Sequence, residues 1–133
     1  MNVLAPPVEL TGLSVSLDRL VYHRLPPEKS HGRPHAFVYF LTIRNGSDTT
    51  VTIRGRKWVV THEDGGQVVV EGDGVVGQHP VIPPGRSFSY NSFHTISGQA
   101  ACAEGAFLAV DDSGRAVMTR IRPFRLQVPA GEC

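Results

Sequence analysis

Gly72-Asp73-Gly74-Val75-Val76-Gly77 is a G-x-G-x-x-G run, and Arg54, Arg56, Lys57, His79 and Arg86 lie near it in sequence or at neighbouring loop positions. Glycines so spaced can turn successive main-chain N–H groups into one concavity that cradles a phosphate, with arginines supplying counter-charge. In the dinucleotide-binding form of the pattern a helix must follow, so that its N-terminus faces the pyrophosphate. No helix can follow here. Pro80, Pro83 and Pro84 fix φ, remove amide donors and clash with a growing helix. Two readings remain. In one, Gly72, Gly74 and Gly77 with Arg54, Arg56 and His79 form an anion site. In the other, the glycines provide positive φ or close strand packing in a crossing between sheets. The second is favoured, because short motifs recur by chance and Asp73 would repel a phosphate. What separates the two is where the amides point: toward solvent and unpaired, or bonded to neighbouring strands.

Other groups capable of chemistry are sparse. His31 and His35 would share a helix face, but Gly32 and Pro34 oppose a helix there and no cysteine or carboxylate stands at ligand spacing. Surface histidines are expected, and no metal site. Asp111-Asp112-Ser113-Gly114 reads as a hairpin turn rather than a calcium loop. No G-x-S-x-G elbow or comparable nucleophile context occurs. Cys102 and Cys133 make neither a disulfide framework nor a metal spacing; a buried thiol and a terminal one are expected. Neither catalysis nor a cofactor is expected.

The elements that must position these groups are strands. Period-two alternation recurs in short segments separated by turn residues, and no window of helical length carries an i, i+3, i+4, i+7 stripe. Strands are expected near residues 13–22, 36–44, 51–61, 67–71, 86–93, 100–110, 115–122 and 124–128, with Pro123 at a bulge or edge. Residues 36–44 are apolar on both faces, as a central strand requires. Residues 23–34 read as an exposed loop. Within 51–61, a regular strand puts Arg54, Arg56 and Trp58 on one face. A bulge at Gly55 would instead turn Trp58 and Val60 to the core, and this is favoured because a lone tryptophan in a small domain usually anchors packing. Seven to nine strands with frequent turns predict an all-β, immunoglobulin-like or fibronectin type III-like antiparallel β-sandwich, with a small closed barrel as runner-up. The expected organisation is a loose tail over residues 1–7, a sandwich domain over 8–129 and a tail over 130–133.

With 133 residues there is one domain's worth of core, and 41% apolar against 19% charged residues is ordinary for a globular protein. A net charge of +1 argues against wholesale binding of nucleic acid or anionic membrane, so any anion site must be local. Met1–Pro7 lacks the basic start and apolar region of a secretory leader, and the longest apolar run, 36–41, is too short to span a bilayer. A cytoplasmic location is expected.

Several blocks in order, Arg54-Gly55-Arg56-Lys57-Trp58, Gly72-x-Gly74-Val75-Val76-Gly77-x-x-Pro80, Pro83-Pro84-Gly85 with Phe88-x-Tyr90, and Ile121-Arg122-Pro123-Phe124-Arg125-Leu126, resemble the ApaG family. So does Phe37-x-Tyr39-x-Leu41-x-Ile43-x-Asn45. The resemblance runs from about Leu13 to Pro129 and implies a fibronectin- or immunoglobulin-like sandwich, used for protein interaction where the domain is fused to other eukaryotic domains. It implies no established enzymatic activity; bacterial members have been linked to diadenosine tetraphosphate hydrolase genetically and to cobalt and magnesium tolerance. The chain departs from the family where Ala103 and Phe107 replace an expected methionine and tyrosine, which removes any ligand contact through that hydroxyl. A non-catalytic module for an unidentified protein partner is expected, as monomer or homodimer. The alternative is a module for pyrophosphate or a polyphosphorylated nucleotide, with a divalent cation such as Mg or Co, at the Gly72–Gly77 loop.

Overall fold

The computed structural model describes residues 6–131, so Cys133 and most of the expected N-terminal tail lie outside the described residues. The described residues form two sheets packed face to face, with one four-residue helix. The strands are β1 (Val8–Glu9), β2 (Leu13–Arg24), β3 (His35–Asn45), β4 (Val51–His62), β5 (Gln67–Asp73), β6 (Val81–Ile82), β7 (Ser87–Ile96), β8 (Ala100–Val110) and β9 (Ala116–Gln127). The larger sheet has the order β1-β9-β8-β4-β5, with β6 also on β4; the smaller is β2-β3-β7.

Four expectations change. Residues 23–34 are not all loop, because Pro27–Ser30 form a short helix, α1, with Pro27 at its start where the missing amide costs nothing. Pro123 does not divide the last strand. β9 runs through it, and the register shift lies at the proline itself: Arg122 and Pro123 of β9 stand opposite the single residue Glu104 of β8, which is the bulge expected there. The sheets are antiparallel except for β1, which pairs parallel to β9. The glycine run does not cross between sheets. β5 and β6 both pair antiparallel with β4, so β5, the glycine turn and β6 form one interrupted edge, and the crossing to β7 comes at Pro83–Arg86.

The parity change in β4 is what builds the core. Val51 and Ile53 point inward, the register shifts between Ile53 and Gly55, and beyond the shift Trp58 and Val60 point inward instead. Trp58, 1% exposed, packs on Tyr39 and Phe124, with ring centroids 4.9 and 5.9 Å away. Burying an aromatic of that size contributes on the order of 3 kcal/mol or more. Phe37, Leu41, Ile43, Phe107 and Leu126 complete the centre of the sandwich.

Candidate functional site

The glycine turn is built by two-residue hairpin geometry. Val75 and Gln78 exchange both main-chain hydrogen bonds (2.8 and 2.9 Å), and the residues between them, Val76 and Gly77, have φ of 45° and 79°. That pattern suits glycine or asparagine at both central positions, so the β-branched Val76 is strained there. Gly74, at φ 67°, donates its amide to the Arg54 carbonyl at 2.8 Å, and a Cβ on it would collide with the Gln78 carbonyl. The amides of Gly74, Val75 and Gln78 are therefore bonded within the edge itself.

The sequence-derived site residues are partly brought together. Arg56 lies on the inner face after the β4 bulge and covers Gly72, where any Cβ would collide with the guanidinium. Its Nη1 donates to the carbonyls of Asp73 and Gly74 at 3.2 and 3.1 Å, tying the turn to β4. His79 Nε2 lies 3.0 Å from the Asp73 carboxylate, so the counter-charge nearest this histidine comes from the loop itself. Gly77 sits at the exposed apex. Arg54 joins the group only through its carbonyl; its side chain is exposed and makes no ion pair among the described residues. Lys57 points to the opposite face, 3.8 Å from Glu71. At the other hairpin, Asp111 accepts bonds from Ser113 and from the Arg115 amide, which hold its carboxyl below the usual range.

A second group of polar atoms lies between the sheets, where the sequence showed only core. Tyr39, Trp58, Tyr90 and His94 form an aromatic cluster, with His94 4.6 Å from Trp58 and 4.8 Å from Tyr39 between ring centroids. Burial pushes His94 down to about 4, so its imidazole is neutral near pH 7. Burial also raises Tyr90 strongly, reinforced by Tyr39 and opposed by the Arg56 charge. Tyr39 is raised by burial against the pull of Ser92, Arg56 and Trp58. The Trp58 N–H favours the Tyr39 oxygen without forming a well-aligned bond to it. Tyr90 Oη and His94 Nε2 are buried with no hydrogen-bond partner among the described residues. Such atoms cost roughly 1–3 kcal/mol each. Nor are the histidines all at the surface: His35 is buried, with Nδ1 2.7 Å from the Tyr22 hydroxyl. Cys102 is half-buried rather than fully enclosed.

The outer face of the small sheet carries the remaining feature. Val21, Val38 and Phe93 stand in one row across β2, β3 and β7, beside Phe40, over which the Arg19 guanidinium lies 5.7 Å from the ring centroid. Phe93 is 60% exposed. The signal for it was legible: in Ser87 to Thr95 it is the one aromatic among the Ser, Asn and Thr residues of the solvent-side phase.

The family model for the ApaG domain matches residues 26–111. A relative from Deinococcus radiodurans, named Protein ApaG, is 39% identical over 80% of this chain and 82% of its own length. A structural-genomics crystal structure superposes with a TM-score of 0.81 at 27% identity, covering 92% of each chain. The putative ApaA protein from Bordetella pertussis follows with a TM-score of 0.74 at 28% identity, over 93% of this chain and 99% of that one. The relatives' names describe no catalytic activity. Among the described residues no helix is long and apolar enough to cross a membrane. Taken with the two-sheet architecture, these likenesses make the chain a member of the ApaG domain family.

Proposed function

We propose that this protein is a non-catalytic docking module of the cytoplasm, on a scaffold of the immunoglobulin or fibronectin type III kind, and that it binds a protein through the outer face of the small sheet. The observation that carries the reading is the Val21–Val38–Phe93 row with its 60% exposed phenylalanine. Contiguous apolar surface on a sheet face is costly to leave in water and is characteristic of interaction sites. The test is affinity capture from cell extract at stringent salt, using the intact chain and the Phe93→Ser variant. A stoichiometric protein partner held by the first and lost from the second is expected; no such partner across growth conditions, or equal recovery by both, overturns the reading.

The second reading places pyrophosphate or a polyphosphorylated nucleotide, with or without a divalent cation, at the glycine turn. Arg54, exposed and without an ion pair among the described residues, favours it. The bonded amides of Gly74, Val75 and Gln78 and the Asp73 carboxylate weigh against it. Titration of pyrophosphate, ATP and diadenosine tetraphosphate with and without magnesium, read on the amide resonances of Gly72–Gly77, tests it. Unshifted resonances at millimolar ligand overturn it.

A further inference from the structure

The two sheets do not match in width. Trp58 of β4 packs on His94 of β7, the last strand of the small sheet, so β5, the next strand of the large sheet, has no strand facing it. Its core-side residues show this: Val70 pairs with Trp58, yet is 40% exposed. Below β5 and beside β7 lies a cleft of about 160 Å³ lined by Val60, Val68, Val70, Phe93 and His94, with Arg33, His62 and Thr95 also on its wall. An apolar cavity of about that size holds a benzene ring.

The main chain of β7 is open along this cleft. The Asn45 amide donates to the Arg86 carbonyl, which sets the phase of the β3–β7 ladder. Phe88, Tyr90, Ser92 and His94 bond to β3, and Ser89, Asn91, Phe93 and Thr95 direct their N–H and C=O groups to the free edge. Among the described residues no hydrogen bond reaches that edge. An exposed row of this kind is a template for another strand.

We propose that the partner supplies an extended segment that adds to the edge of β7, placing an apolar side chain in the cleft under β5 and a carboxylate at Arg33. This rests on the docking reading above and names its chemistry. Three features select the occupant. A single strand of about five residues fits the missing place opposite β5. A second copy joined edge to edge through β7 does not, because a two-fold axis there brings both β5 strands into the same space. The cleft wall holds Arg33, His62 and His94 and no carboxylate, and Arg33 makes no ion pair among the described residues, so an acidic residue complements it.

A display library of random twelve-residue peptides, selected on the full-length chain, is the probe. Enriched peptides should alternate apolar and polar residues and include Asp or Glu, and a synthetic copy should slow amide exchange at Ser89, Asn91, Phe93 and Thr95. Asn91→Pro, which removes an edge donor that no strand of the protein uses, should weaken that peptide at least tenfold. Selection on Arg33→Glu should enrich Lys or Arg instead. Exchange on the unsubstituted chain decides the matter should the proline variant fail to fold. Absence of enrichment, or selected peptides that leave the β7 edge amides unprotected, overturns strand addition. Peptides lost by Phe93→Ser but protecting no edge amide would leave the docking face standing and sink this inference alone. A dimer abolished by Asn91→Pro would make a second copy the occupant, and would overturn it too.

Discussion

The glycine turn and the aromatic cluster differ in what their polar groups are doing. In the turn, Gly74 donates to Arg54, Val75 and Gln78 bond each other, Arg56 donates to two carbonyls and His79 meets Asp73. In the cluster, Tyr90 Oη and His94 Nε2 are buried without partners among the described residues, and His94 lines the cleft under β5. The region that looks most like a binding motif in the sequence has used its hydrogen-bonding groups to shape an edge. The region that looks like ordinary core has groups to spare. Satisfied polar groups make a loop rigid, whereas the open main-chain edge of β7 beside the cluster gives an incoming chain something to bond.

Substitutions can break this contrast. The largest effect should come from the cluster: Trp58→Ala is expected to cost about 3–5 kcal/mol in urea unfolding, because a fully buried indole leaves a cavity between Tyr39, His94 and Phe124. If the loss is under about 1 kcal/mol, Trp58 is not the packing anchor.

Next comes pH. His94 has a folded value of about 4 against 6.5 for the free side chain, so between these values the unfolded chain binds the extra proton. Stability is therefore full above pH 6.5 and falls as the pH drops toward 4, by roughly 3 kcal/mol. Urea unfolding from pH 7 to pH 4 should show this slope, and His94→Gln should flatten it by that amount. A slope unchanged by the substitution would place the titration on other groups.

In the turn, Gly74→Ala should cost about 2 kcal/mol, from positive φ together with collision on the Gln78 carbonyl. Gly77→Ala should cost about 1 kcal/mol, because its φ is positive but no atom lies near a Cβ. Equal costs would mean that the collision relaxes. The smallest effect has the opposite sign. Val76→Asn should stabilise by about 1 kcal/mol in the same unfolding experiment, because asparagine tolerates a left-handed conformation that a β-branched side chain resists. A loss of stability would show that the Val76 side chain supplies packing worth more than its strain.

Much of the sandwich was legible from alternation. β3 reads as central because Phe37, Tyr39, Leu41 and Ile43 face one way while Val38 and Phe40 are apolar on the other side, and it lies between β2 and β7. Gly55 as a point of parity change followed from the needs of Trp58. The bulge at Pro123 was read correctly and the break of the strand there was not: Arg122 and Pro123 oppose the single Glu104, so the proline's missing donor falls where the ladder is already interrupted, and β9 continues through it. The inter-sheet placing of the glycine run failed for a related reason: glycines mark a turn without saying which strand edge the chain rejoins.

By itself the sequence determined the class of structure, the set of longer strands, the exclusion of a helix after Gly77 and the family, since each depends on neighbours a few residues apart or on blocks read in order. Only the tertiary structure decided that Arg56 turns inward onto Gly72, that β5 overhangs β7, and that Tyr90 and His94, the latter lining that gap, keep buried polar atoms without partners among the described residues. Those facts depend on strand register and on which strand faces which across the core. They are set by pairings dozens of residues apart, and no local pattern encodes them.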